Sequence, residues 1–237
     1  MNRILLPLAL CLGTLPPASS HAGEPLRLFN GVDFTGWTYD LTEQGVAMSD
    51  VWSVARGVVR CAGRPLGYLR TEAEYGDYRL TLEWRWPAKP GNNGVLIHAS
   101  TPRTLGIWPK SVEVQLANQH AGDFWVIGTQ IDAPNEPADP KNRRHARLID
   151  GVERPLGEWN TMTILCEGAS VVVWVNGRLT NMSGNATAAR GAICLQSEGA
   201  PIEYRNVVLT PLTTAPAASF GPDASARPAT SPTATGD

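Results

Sequence analysis

The sequence predicts an all-β protein folded as a sandwich of two antiparallel sheets, and three observations lead there. Tyr78 to Trp86, YRLTLEWRW, sends Tyr78, Leu80, Leu82, Trp84 and Trp86 to one side and Arg79, Thr81, Glu83 and Arg85 to the other, the period of two that belongs to a strand. Five large apolar side chains on one face need a second layer to bury them, and a packed antiparallel sheet is the economical one. No window of a dozen residues has clean helical spacing, while 23 glycines and 19 prolines punctuate short alternating runs. Finally, Asn176-Gly177, between VVVWVN and Arg178-Leu179-Thr180, is the dipeptide most favoured in a two-residue hairpin.

In chain order, residues 1–22 read as an export signal: Arg3, an apolar run from Ile4 to Leu12, then Ser20-His21-Ala22 as a small-x-small cleavage site. That run is too short to span a bilayer, and no later segment reaches the roughly 18 uninterrupted apolar residues of a membrane helix. A periplasmic or extracellular protein without membrane insertion is expected. One domain is expected over 23–212, followed by an Ala/Pro/Ser/Thr-rich tail over 213–237 that is too poor in large apolar residues to fold. Removing the signal takes away one arginine and no acid, so the formal charge moves from −2 to −3. So weak a field does not attract a polyanion, and nucleic acid is not an expected partner. The remaining Cys61, Cys166 and Cys194 have no metal-ligand spacing and read as buried thiols, with oxidation of one pair left open.

Within the domain, Leu28 to Gly31 opens with a turn, and Phe34 and Trp37 supply the first aromatic pair. Trp52 to Val54 and Gly57 to Cys61 form a hairpin across Ala55-Arg56, and Gly67 to Thr71 is the next strand. After the long Tyr78 strand, Lys89 to Gly94 turns, and Val95 to His98 returns with His98 among the polar-face residues. In Ser111 to Gly128, Val112, Val114 and Leu116 alternate with Ser111, Glu113 and Gln115, so Glu113 and Gln115 share one face. Asn118 to Asp123 turns, and Phe124 to Ile127 begins another strand. Asp132 to Pro140 is a proline-rich loop, and Lys141 to Arg147, KNRRHAR, reads as a solvated basic loop. Trp159 to Glu167, Ser170 to Asn176, Ala192 to Ser197 and Ile202 to Leu212 complete the strand pattern.

Eight phrases, in order, resemble the bacterial 3-keto-disaccharide hydrolase family, whose activities are described as 3-keto-glucoside 1,2-lyase and 3-keto-2-hydroxyglucal hydratase. They are LFNGVDFTGW (28–37), YGDYRLTLEWRW (75–86), NNGVLIH (92–98), WPKSVEVQLANQHAGDFWVIG (108–128), PLGEWN (155–160), VVVWVNG (171–177), GAICLQSEG (191–199) and IEYRNVVLTPL (202–212). The resemblance implies a concanavalin A-like jelly-roll sandwich with carbohydrate bound on its concave face. It departs from the family pattern at Asn118, where many members have aspartate, and at His98, where many have arginine.

The chemistry so implied is elimination. A ketone at C3 acidifies the C2 hydrogen, a base removes it, and the C1 substituent leaves; water then adds back across the glycal. Such a site needs a base, a donor or cation for the enolate, and an acid at the leaving oxygen. Glu113 is the expected base, with Gln115 binding a hydroxyl or holding the carboxylate. Arg85 could polarise the ketone with Glu83 orienting it, although a cross-strand ion pair explains both. His98 could move protons, or be a satisfied structural histidine, and Asp123 could enter the site or cap its turn. Trp108 and Trp125 are candidates for a sugar-stacking wall, while Trp84, Trp86 and Trp174 read as core and Trp159 as edge packing. Lys110 is the lysine nearest the strand for Schiff-base chemistry. No cofactor is required by the sequence, and a divalent metal held by Glu83, His98, Glu113 and Asp123 is an open alternative. A non-catalytic lectin-like module, and a conventional glycoside hydrolase using Glu83 and Glu113, are the competing readings.

Overall fold

The computed structural model describes residues 21–139 and 141–213. The expected export signal, up to residue 20, and the expected tail, from residue 214, lie outside the described residues. Two antiparallel sheets pack face to face, as the Tyr78 strand demands. One is nine-stranded and runs Arg178–Ser183, Ser170–Val175, Asn160–Glu167, Tyr78–Arg85, Ile202–Thr213, Val58–Cys61, Trp52–Ala55, with His21–Ala22 and Leu26–Arg27 also pairing with Ile202–Thr213. The other is seven-stranded and runs Arg144–His145, Phe124–Ile127, Ser111–Gln115, Gly94–Ala99, Ala192–Ser197, Gly67–Thr71, Trp37–Leu41. The chain crosses repeatedly from one layer to the other in the concanavalin A-like jelly-roll manner, and its helix among the described residues is the single turn Met48–Val51.

The core lies between the sheets. Tyr78, Leu80, Leu82 and Trp84 on one side meet Val95, Ile97, Val112 and Val114 on the other, all fully buried. Each such side chain contributes about 1.5–3 kcal/mol by leaving water. Cys61, Cys166 and Cys194 are free and buried in or beside this core.

Two local readings shift. The first hairpin turns at Arg56-Gly57, both with positive φ (52° and 76°), because a tight primed turn needs that geometry at both central residues and glycine supplies it without strain. Trp174 is half-buried on the outer face of its sheet, not in the core, since Val171, Val173 and Val175 take the inward positions. No helix of the described residues is long and apolar enough to cross a membrane.

Candidate active site

With Val112 and Val114 directed into the core, Glu113 and Gln115 point from the outer face of the seven-stranded sheet, as their alternation predicts. Trp125 stands directly opposite Glu113 in the neighbouring strand, and Gly94 stands opposite Gln115 on the other side. A Cβ on Gly94 would come within 2.6 Å of Glu113 Oε1 and 2.7 Å of Gln196 Oε1. The bare glycine therefore lets the two side chains lean over the strand from either side. Glu198 follows two residues after Gln196, past the end of the same strand. Across the groove, the Arg143 guanidinium lies 5.4 Å from the centre of the Trp125 ring, a cation–π distance.

These neighbours leave two carboxylates short of compensation. Burial pushes the Glu113 carboxyl up to about 8, the charge of Glu198 adds to the rise, and Arg143 and Gln196 offset only part of it. Glu198 is likewise raised by burial, to about 7, against the pull of Arg143. Among the described residues, buried Glu198 Oε2 and Gln196 Oε1 have no hydrogen-bond partner. Buried oxygens without donors are costly in a finished structure and natural where a ligand supplies the donors.

The two ends of this strand face differ. At the Gln115 end lies a cavity of about 350 Å³ whose lining includes Asn92, Gln115, His120, Asp123, Trp125 and Arg144. Gln115 Oε1 accepts from the backbone N–H of Leu116 and Ala117 (2.9 and 2.8 Å), leaving its NH₂ group for a ligand. Asp123 is buried and held by Arg144 Nε (2.7 Å) and the Arg147 backbone N–H (2.8 Å), so it anchors the loops that shape this end. The Ser111 end carries an apolar plug: the connection between Ala99 and Ser111 folds back, and Ile107 and Trp108 join the cluster of Tyr68, Leu96, Ile127 and Cys194. Arg103 pins the same connection to Asp40 at 2.7 Å.

Several expectations are corrected by these positions. Glu83 and Arg85 do not meet Glu113; their strand belongs to the other sheet, whose outer face they occupy, Glu83 paired with Arg205 and Arg85 with Glu203. His98 is not on the polar face. The register slips one residue between Ala192 and Cys194, and His98 takes φ 53°, a bulge that turns the ring inward. There its Nδ1 meets the Ala188 carbonyl at 2.8 Å, Tyr78 packs edge-on, and burial lowers its pKa. Lys110 shares the parity of Val112 rather than of Glu113, and its backbone pairs with Ser100 and Thr101. Trp108 belongs to the plug, whereas Trp125 faces the groove. Glu83, His98, Glu113 and Asp123 are thus not gathered as a metal set, and no group of three or more potential ligands forms among the described residues. The KNRRHAR run is not a solvated loop: Arg143, Arg144 and Arg147 are built into the rim. Glu198, Gln196 and Arg143 were not singled out from the sequence. The alternation of Cys194, Gln196 and Glu198 in CLQSE put the first two on one face, but nothing local said which strand they would meet.

Residues 24–210 match the model of the 3-keto-alpha-glucoside-1,2-lyase-like domain. Two crystal structures from Parabacteroides distasonis ATCC 8503, both described as candidate glycosyl hydrolases, share the fold. One is 20% identical over 80% of this chain and 94% of its own, with a TM-score of 0.58. The other is 22% identical over 79% and 98%, also at 0.58. The carbohydrate binding module CBM66 from Bacillus subtilis is 11% identical over 73% and 93%, at 0.51. At these identities the likeness establishes the sandwich. Comparison with curated proteins gives no match.

Proposed function

The chain belongs to the 3-keto-alpha-glucoside-1,2-lyase-like domain family, and from that premise we propose that it is an exported carbohydrate-active enzyme that cleaves 3-keto-glycosides by elimination. The observation that carries this reading is the carboxylate pair, Glu113 and Glu198, both drawn by the cation Arg143 beside the indole of Trp125. Export rests on the signal-like residues 1–22 alone.

Like charges held together in a poorly solvated site give up their protons in two steps, so near neutral pH the pair carries one proton. Glu113 is the deeper of the two, and burial favours the protonated form of a carboxyl. Glu198 is then the carboxylate that takes the C2 hydrogen, and Glu113 the acid that protonates the departing C1 oxygen. This exchanges the role expected of Glu113 from sequence, and the reason is the proton inventory of the pair. Abstraction leaves an enolate across C2 and C3. Its electron pair then forms the C1–C2 double bond as the C1–O bond breaks, restoring the ketone and yielding a 3-keto-2-hydroxyglucal. Arg143 stabilises the charge on the C3 oxygen, and Trp125 offers a face to the apolar C–H side of the ring. Addition of water to the glycal by the same two groups would complete a net hydrolysis.

The test is incubation of the purified protein with a 3-keto-disaccharide and with its unoxidised parent in deuterated water. Cleavage of the ketone form alone is expected, with the C2 hydrogen lost in the glycal and deuterium found at C2 only in product to which water has added back. Cleavage of the parent would replace elimination with ordinary hydrolysis, and binding without turnover of either would leave a lectin.

A further inference from the structure

Past Gln115, the cavity at that end of the strand reaches His120, and on the other side of His120 lies a second cavity of about 890 Å³. Its lining includes Gln119, Arg147, Asp150, Glu153, Arg154 and Leu156. We propose that this cavity is the leaving-group site and that it takes more than one sugar ring, so that the protein removes terminal 3-keto-glycosyl units from oligosaccharides. The proposal rests on the elimination reading above for the reaction, and on the following geometry for the site.

The apolar cluster of Ile107 and Trp108 with Leu96 and Ile127 occupies the Ser111 end of the strand, and the cavity lies at its Gln115 end. A sugar over Glu113 is then extended toward the rim, and the ring whose C1 reacts is a chain end. His120 forms the junction and lines both cavities. Its Nδ1 lies 3.2 Å from Arg144 Nη2 and 3.1 Å from Arg147 Nη1. A guanidinium has no acceptor, so Nδ1 accepts and the ring proton sits on Nε2, on the opposite edge and available to a ligand hydroxyl. The rim itself is held in a costly conformation: Gln119 has φ 65°, a left-handed geometry that a non-glycine residue keeps only when its surroundings impose it. Glu153 ties down the same turn, accepting from the Ala121 N–H at 3.0 Å.

The lining suits a polyol. Arg154 and the His120 Nε2 edge donate, Asp150 and Glu153 accept, and exposed Leu156 with Pro155 offers an apolar patch to C–H faces. The mixed signs of charge argue against a polyanion. With a volume more than twice that of the first cavity, and inside the roughly 300–1,000 Å³ range of ligand sites, it has room beyond a single ring.

The experiment compares kcat/KM for three 3-keto-α-glucosides whose leaving groups are methanol, glucose and maltose. We expect a rise of about tenfold at each step, and the doubly substituted Arg154→Ala, Leu156→Ala protein to lose that rise while acting normally on the methyl glycoside. Both side chains are exposed, so the variant should fold, which its melting temperature checks. Equal values for all three substrates, or an equal loss on all three in the variant, would overturn the site. If no 3-keto substrate is cleaved, the elimination reading fails by itself. Calorimetric titration with maltotriose and methyl glucoside then decides the cavity: tighter binding of the trisaccharide, lost in the variant, upholds it, and equal binding of the two sugars overturns it.

Discussion

On the outer face of the nine-stranded sheet, the guanidinium groups of Arg85 and Arg205 flank the Trp159 ring at 4.6 and 4.1 Å, Glu203 accepts from Arg60 and Arg85 at 2.8 and 2.7 Å, and Glu83 pairs with Arg205. On the outer face of the seven-stranded sheet, Arg143 flanks Trp125 beside Glu113 and Glu198. Both faces hold two glutamates, a tryptophan and arginine. The first has three arginines for two carboxylates: burial pushes Glu203 up, but Arg60 and Arg85 together outweigh it and hold its carboxyl below the ordinary range. The second has, among the described residues, Arg143 for buried Glu113 and half-buried Glu198, and both carboxyls are raised. The same side-chain chemistry makes a saturated ion-pair ladder in one place and a proton-holding pair in the other. What separates them is the ratio of cations to carboxylates, since Glu203 is as buried as Glu113.

The comparison breaks most sharply at the carboxylate pair. Glu113→Gln should lower turnover of a 3-keto-disaccharide by about 10² to 10⁴, and a substrate with an acidic aryl leaving group should recover much of that, since it needs no acid. Glu198→Gln should lose as much without recovery, because removal of C2–H is then the missing step. Retention of full activity by either variant removes that residue from the mechanism. In the unaltered protein kcat/KM should trace a narrow bell, rising as the first proton leaves near pH 7 and falling as the second leaves near pH 8. A flat profile from pH 6 to 9 would contradict a shared proton. Trp125→Ala should raise KM by up to about tenfold with kcat less affected, the loss of one stacking surface of about 1 kcal/mol.

Smaller effects belong to stability, and the two faces should respond to pH in opposite directions. Glu113 holds in the folded state a proton that the unfolded chain has lost above its ordinary value of 4.5. Its contribution is therefore present below that value and is lost as pH rises toward about 8. Melting temperature should decline over that window, and Glu113→Gln should flatten the decline. Glu203 has a lowered pKa, so its contribution is present above 4.5 and disappears as pH falls through its folded value. Glu203→Gln should cost about 1 kcal/mol, a modest figure because Arg60 and Arg85 are partly exposed, lowering the melting temperature by roughly 2–4 °C. Activity should be untouched; a loss of turnover in this variant would mean that the ladder reaches the site through the core.

Much of the fold was legible because it is written in local periodicity. The Tyr78 strand, the Asn176-Gly177 hairpin and the Glu113–Gln115 face each follow from neighbours in sequence. The candidate site was legible in part, since Glu113, Gln115 and Trp125 stand on the face their alternation predicts. His98 was misread because a bulge arises from a register slip against Ala192–Ser197, which no reading of one strand contains. Arg143 was misread because a run of basic residues looks alike whether it is solvated or folded onto an indole.

Alternation alone determined that Glu113 would stand beside Gln115 and that the Tyr78 strand needed a second layer, since side-chain direction in a strand is a property of each residue and its immediate neighbours. Which layer each strand joined was settled only by tertiary pairing. That pairing carried Glu83 to the far face and brought Gln196, Glu198 and Arg143 to Glu113. Hydrogen bonding between strands depends on partners distant in sequence, and the electrostatics that distinguish a raised carboxyl pair from an ion-pair ladder exist only once those partners have met.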